Sequence, residues 1–407
     1  MTTSTLTVDE TSRGYAGWKT VFACFLLAVA AWGFGFYGHT VYLAELRKLY
    51  DWPTSLISTA TTAYYLFGGV IVIWVSDAVR RFGPRNVALA GLAMLSGSGA
   101  LLALVHEPWQ LYAAFLLMSF GWAGSSIAII NNILGLWFSV RRGMAISWAL
   151  NGASVAGIVF APALVALIGI FDFATAMTIA AVASLLIVGP AILLWVDWPP
   201  HRPRATAASP VSAGTWTRPR ALRSLQFWTV AAPFALALVA QVGFLVHLIA
   251  FLEPTIGRYQ SGVALSLASI CAVVGRVGLG FFIDRLNQRL VTAVSLASQA
   301  TALFLMIHTS DTVALIALAS LFGLSVGNLI TLPSLIVQRE FEPASFGMLM
   351  ALSAAINQFT YAFGPALLGV VKDFAGGYPA ALGVCITCQV AAISIILSRR
   401  SPPRPLV

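Results

Sequence analysis

Apolar residues run through this chain in twelve blocks of 19 to 28 residues, broken by short polar stretches. About 20 mainly apolar residues are needed for a helix to cross a bilayer's hydrocarbon core. The pattern therefore predicts twelve membrane-spanning helices, at 18–43, 54–77, 86–106, 109–136, 143–170, 173–196, 225–252, 259–283, 290–308, 312–337, 345–371 and 378–398. Only one polar connection is long. Asp197 to Ser224 is rich in Pro, Arg, Ser and Ala, which reads as a flexible linker. It divides the chain into an N-terminal six-helix unit, 1–196, the linker, 197–224, and a C-terminal six-helix unit, 225–407.

Composition agrees with this reading. Of the 407 residues 59% are hydrophobic and 9% charged, and the mean hydropathy is +0.88. A soluble domain carries about 25% charged residues. The formal charge of +9 does not point to nucleic acid, because the basic residues lie between apolar blocks and not along one soluble face. They set an orientation instead. With both termini in the cytoplasm, inside segments hold 18 Lys and Arg, among them Arg80, Arg81, Arg85, Arg285 and Arg289. The outside loops hold four: Arg47, Lys48, Arg258 and Lys372. The expected location is a plasma (inner) membrane. The polar stretch from Met1 to Gly17 has no cleavable signal pattern, so the first span is expected to stay in the mature protein. Cys385 and Cys388 have CxxC spacing but lie mid-span without flanking His or acid, which suits core packing better than redox or metal chemistry. No nucleophile–base pair, phosphate loop or metal spacing is visible, so neither an enzyme nor a resident cofactor is expected.

The 23rd basic residue is different. Arg276 lies inside the eighth apolar block, in a run from Ser266 to Phe282 that holds no carboxylate. A charge deep in hydrocarbon costs several kcal/mol on contested scales and usually faces a polar cavity on a substrate or ion path. The guanidinium offers planar, paired donors that match a carboxylate and stays charged at any relevant pH. It lies eight residues before Asp284, about 12 Å along a helix.

The two units repeat. Arg80-Arg-Phe-Gly-Pro-Arg85 follows span 2, and Asp284-Arg-Leu-Asn-Gln-Arg289 follows span 8. Gly143-Met144 and Ala161-Pro-Ala-Leu164 in span 5 match Gly347-Met348 and Gly364-Pro-Ala-Leu367 in span 11. Two related six-helix units around a central cavity is a secondary-transporter architecture.

On these features the chain resembles the major facilitator superfamily over nearly its whole length. Gly280-Phe-Phe-Ile-Asp284-Arg285 matches the front of that family's loop motif; in the first copy Arg80 stands where Asp is usual, and Asp77 lies one turn earlier. The resemblance implies a gate at these turns, assigned to Asp77, Arg81, Arg85, Asp284, Arg285 and Arg289. A narrower resemblance is to the monocarboxylate transporter and oxalate–formate exchanger branch. It rests on Trp137-Phe-Ser-Val-Arg-Arg-Gly143, on Leu49 to Ser58, and on Gly275-Arg276-Val-Gly-Leu-Gly280. It implies that Arg276 binds a substrate carboxylate. Ala272 stands where the animal proton symporters carry an Asp that takes part in proton coupling, which leaves the coupling open; span 11 lacks the second cation of the oxalate exchanger, so one carboxylate is expected and not two.

The family's cavity helices make other span residues candidates beside Arg276: Tyr37 and His39 in span 1, Asn132 in span 4, Gln241 in span 7, and Asn357 and Tyr361 in span 11. Asn357 and Tyr361 are four apart and share a helix face. Each amide serves equally well as interhelical glue. The expectation is a transporter of small organic monocarboxylates, working as a monomer in the lipid bilayer and possessing a coupling ion or none. Two alternatives stand beside it. An exporter of amphipathic drugs would suit an acidic cavity, which these spans do not offer. A non-transporting sensor on the same fold would suit a folded soluble extension, for which both tails are short.

Overall fold

The computed structural model describes residues 10, 12, 15–138, 141–199, 216–280, 282–283, 286–342 and 345–398, excluding the side chains of 142, 143, 280, 330, 347 and 351. The described residues form helices and no strands. The long ones are α1 (Gly17–Tyr50), α2 (Thr54–Phe82), α3 (Pro84–Leu102), α4 (Pro108–Trp137), α5 (Met144–Ile170), α6 (Phe173–Trp195), α7 (Leu225–Ile256), α8 (Arg258–Gly280), α9 (Gln288–Ile307), α10 (Thr312–Glu340), α11 (Met348–Ala375) and α12 (Tyr378–Leu397). Eleven are long and apolar enough to cross a membrane. The exception is α3, which has 19 residues but is diluted by Arg85, Asn86, three Gly and two Ser. Its glycines serve packing. A methyl on Gly124 would stand 2.8 Å from the Gly91 Cα, so α3 and α4 touch backbone to backbone.

Several helices are interrupted where the sequence gives cause. Proline removes a donor and clashes with the carbonyl four residues back. Pro162 is preceded by a π-helical turn, Ala156–Phe160, and Pro365 by a break at 362–363. These are the two repeat-related prolines. α1 carries a second π-turn, Gly33–Tyr37, without a proline. α10 is interrupted at Gly327. Between α7 and α8 the chain turns on Gly257 alone, whose φ of 81° with ψ of 166° is open essentially to glycine only.

Large apolar side chains such as Leu194 (72% exposed) and Phe374 (95%) face outward. In water they would be a liability; in lipid they are the expected surface.

The core shows where the two halves of the chain meet. One buried cluster runs through α1–α6 and continues into the parts of the second half near the α1–α2 end, including Phe244, Leu248, Leu303, Phe322, Leu368 and Leu382. A separate cluster fills the opposite end of the second half, with Phe227, Phe234, Leu296, Leu332, Ile336 and Ile396. Apolar packing thus joins the halves at the α1–α2 end and is divided at the α2–α3 end.

Polar links follow the same division. Among the described residues they are Glu45 with Arg258 at 2.5 Å, Ser55 N to Asp373 Oδ2 at 2.6 Å, and Ile249 N to Thr40 Oγ1 at 3.1 Å. Ala366 N donates to Thr62 Oγ1 at 3.2 Å, and Ser266 Oγ to the Ile158 carbonyl at 3.2 Å. Each of these residues lies within twelve residues of the α1–α2 end of its helix.

Candidate functional site

α8 packs on α10 through an exchange of glycines. Methyls on Gly275 and Gly323 would stand 2.9 Å from the Leu324 carbonyl carbon and 2.6 Å from the Ala268 Cα. Gly327, where α10 is interrupted, lies against Arg276: a methyl there would stand 3.0 Å from both Cβ and Nε of the arginine. The small residues on α8 and α10 therefore let the arginine stem lie between the helices. Arg276 itself lies 18 residues beyond Arg258, about 27 Å along α8, and four residues before Gly280. It is half-buried, its Nε is fully buried without a partner, and among the described residues no carboxylate pairs with it.

One of the other predicted residues comes to α8 on the approach to Arg276. Tyr37 ends the π-turn of α1 and meets Ser269 over Gly157, two turns before Arg276 on α8. The two π-turns interlock. A methyl on Gly33 would stand 2.6 Å from Cγ of Phe160, and one on Gly157 would stand 2.6 Å from Cζ of Tyr37. Each turn thus offers a glycine to the aromatic ring of the other. π-turns inside α-helices are frequent at functional sites.

The remaining residues lie elsewhere. His39 is fully buried among aromatic rings of α1, α2 and α4, with Tyr64 at 4.6 Å and Phe115 at 4.8 Å between centroids. Its Nδ1 is 3.4 Å from Thr61 Oγ1. Tyr361 faces this same aromatic group: its ring is 5.7 Å from that of Tyr65, and its hydroxyl donates to Gln358 Oε1 at 2.5 Å. Asn357 is buried with its Oδ1 unpartnered. Asn132 binds Ser76 Oγ at 3.2 Å and the Ala128 carbonyl at 2.9 Å, joining α4 to α2. Gln241 accepts from Gln299 Nε2 at 3.1 Å, and Gln299 Oε1 accepts from Gln389 Nε2 at 2.6 Å. This buried chain links α7, α9 and α12. Gln299 and Gln389 were not among the sequence candidates, although they are the only glutamines within their apolar blocks.

The turn residues tie helices within one half. Arg85 donates to the Val196 carbonyl at 2.8 Å and to Asp197 Oδ2 at 2.7 Å. Arg289 donates to both oxygens of Glu340, at 2.7 and 2.8 Å, to the Thr229 carbonyl and hydroxyl, and to the Ile396 carbonyl at 2.9 Å. Asp77 pairs with Arg80, and both are well exposed. Arg81 lies over the Phe82 ring at 5.3 Å. Asp284 and Arg285 fall outside the described residues.

The family model of the Major Facilitator Superfamily matches residues 21–365 and 249–407. The chain is 25% identical over 407 residues to monocarboxylate transporter 13 of Bos taurus, covering 96% of this chain and 90% of that protein. It is 33% identical over 150 residues to the gentisate transporter of Corynebacterium glutamicum, covering 35% and 32%. Among solved structures, a bacterial homologue of the human lysosomal transporter Spinster, in an inward-facing and unoccupied conformation, superposes with a TM-score of 0.72 at 13% identity. The match covers 95% of this chain and 96% of that one.

Proposed function

The chain belongs to the Major Facilitator Superfamily of membrane transporters, and we propose that it carries small organic monocarboxylate anions by alternating access, with Arg276 binding the carboxylate. One observation carries the reading: a half-buried arginine within a spanning helix whose Nε has no partner and beside which no carboxylate stands among the described residues. The energy lost in desolvating that charge is recovered when an anion brings a paired, charge-assisted contact. α11 supplies no second cation near its described midsection, which favours one carboxylate over two. The names of two relatives, a monocarboxylate transporter and a gentisate transporter, point to the same chemistry.

The moving parts in this reading are the two six-helix units, 1–196 and 225–407, joined by the 197–224 linker. The contacts at the α1–α2 end hold them together there, and by loop charge that end faces away from the cytoplasm of a plasma (inner) membrane. Asp77, Arg81, Arg85, Asp284, Arg285 and Arg289 form the gate at the other end, where Arg85 and Arg289 each tie helices of one unit. Tyr37 completes the anion site. The transporter works as a monomer.

The test is binding and uptake on purified protein. Acetate, butyrate and benzoate are screened by thermal shift, and uptake is measured in proteoliposomes. A carboxylate that binds only the native state raises its melting temperature. Arg276→Gln is expected to abolish both the shift and the uptake. Full uptake of every organic anion by Arg276→Gln would end the proposal.

A further inference from the structure

α3 is the long helix left out of the eleven apolar spans, and its small residues leave a groove on the face that lipid covers. Gly91 and Gly124 bring α3 and α4 into backbone contact, and with Ala90 they floor a groove of about 400 Å³. Trp74 and Phe82 of α2 and Phe120 of α4 wall it, and these rings are 57%, 58% and 46% exposed. Along α2 the groove runs from Phe82 to Ile71, eleven residues or about 16 Å at 1.5 Å per residue. Its mouth is the α2–α3 turn, the end that loop charge places in the cytoplasm.

Depth and charge select the occupant. The hydrocarbon core is about 30 Å thick, so one leaflet contributes about 15 Å. The groove is therefore as deep as one layer of acyl chains. Arg80, Arg81 and Arg85 stand at its mouth. Arg80 is paired with Asp77, and Arg85 with Asp197. Arg81 lies exposed over the ring of Phe82, 5.3 Å from its centre, and among the described residues no carboxylate pairs with it. An uncommitted guanidinium thus sits on the wall of an apolar groove one leaflet deep. Guanidinium matches phosphate with paired donors. Basic pockets between spanning helices on the cytoplasmic side suit anionic headgroups. A symmetric dimer through this face would set two such basic turns on the same side of the membrane, like charge beside like.

We propose that this groove binds an anionic phospholipid of the cytoplasmic leaflet, with an acyl chain over Gly91 and Gly124 and the phosphate on Arg81. The lipid fills the space between α2 and α4 that the small residues of α3 leave open. The site depends on the membrane and not on the substrate, so it goes beyond the monocarboxylate reading.

The test uses the full chain, purified in dodecyl maltoside and stripped of lipid. Dioleoyl phosphatidylglycerol or dioleoyl phosphatidylcholine is added back, and bound lipid is counted by native mass spectrometry. The two share acyl chains and differ in headgroup charge. Wild type is expected to bind the phosphatidylglycerol about fivefold more tightly. Arg81→Gln is expected to bring that ratio close to one. Lys19→Gln removes another exposed cation, at the cytoplasmic end of α1, and is expected to leave the ratio unchanged. Ala90→Trp fills the groove from an exposed position and is expected to weaken binding of the tightest-held lipid of either kind about tenfold. Should Ala90→Trp fail to fold, Ala90→Phe fills less of the same groove. Equal affinity of wild type for the two lipids, or a loss in Lys19→Gln as large as in Arg81→Gln, overturns the phosphate site. A groove-filled variant that holds phosphatidylglycerol like wild type overturns the groove. A dimer that Ala90→Trp dissociates gives the groove to a second copy of the chain and overturns the lipid.

Discussion

Arg85 and Arg289 occupy the same place in the two halves and have come to very different ends. Each stands near the start of the third helix of its half and reaches a carbonyl at the end of the sixth, Val196 or Ile396. The fourth helix of each half ends beside them, followed by a phenylalanine, Phe138 or Phe341. In the second half its last residue is Glu340, and in the first it is Trp137. Arg289 therefore finds a carboxylate inside the bundle: the pair is 2% exposed on each side, and every guanidinium nitrogen is hydrogen-bonded. Arg85 has a tryptophan where the acid stands in the other half. It turns outward to Asp197, and that pair is 37% and 55% exposed. One residue type at one position decides whether the same arginine becomes a buried clamp or a surface contact.

Removing each arginine puts the comparison at risk. Truncating one member of a buried pair costs about 3–5 kcal/mol, whereas an exposed pair contributes about 0–1 kcal/mol. Arg289→Gln should therefore lower the melting temperature in detergent far more than Arg85→Gln. Equal losses would mean that burial does not separate them.

The opposite end of the bundle offers a second, smaller contrast. The second helix of each half begins with a group that reaches across: Arg258 to Glu45, and Ser55 N to Asp373. Arg258 also meets Glu253 at 3.4 Å, so it carries charge between α1, α7 and α8. Arg258→Gln should raise the population open at this end about tenfold, corresponding to about 1.4 kcal/mol. Asp373→Asn should do less, because an amide oxygen still accepts from Ser55 N. Spin labels on Ala44→Cys and Pro254→Cys flank a cavity at this end and would read the separation. A larger opening from Asp373→Asn would reverse the ranking.

Much of this was legible in the sequence, and the limits have physical causes. Hydropathy reports which residues face lipid, so the helices fall where the apolar blocks place them; the ends moved outward in α1, which runs to Tyr50, and in α7, which runs to Ile256, because polar last turns do not register as apolar. The solitary charge of Arg276 could be read because nothing nearby in sequence neutralises it. Which amide meets which could not be read. Gln241 and Asn132 look alike on paper, yet they find partners on other helices of their own halves. Tyr37 meets Gly157 and Ser269 through a π-turn, whose extra residue resets the helix face and defeats a count by 3.6. The glycines at 33, 35 and 38 were the available signal.

The smallest contrast between the halves lies at the starts of α6 and α12. Asp172 caps α6, accepting from Thr175 N at 2.7 Å and Thr175 Oγ1 at 2.9 Å. Its counterpart at α12 is Gly377, which provides no side-chain cap. The Thr175 hydrogen bonds hold the Asp172 carboxyl below the usual carboxylate range. A depressed folded-state value means the contribution is present above the unfolded pKa and is lost as pH falls through the folded one. Asp172→Ala should thus lower the melting temperature slightly at pH 7 and by less in strong acid, where the neutral carboxyl still accepts, and Asp172→Asn should remove the pH dependence while keeping the cap. The transplant is the more searching experiment. Gly377 has an extended backbone, φ −179° and ψ 170°, that any residue adopts, and a Cβ there would meet nothing closer than Pro379 Cδ at 3.4 Å. Ala380 is three residues on from Gly377, the same offset as Thr175 from Asp172. Gly377→Asp should therefore stabilise the protein by a few tenths of a kcal/mol, visible as a small rise in melting temperature at neutral pH that shrinks in acid. A fall at neutral pH would show that the two helix starts are not equivalent.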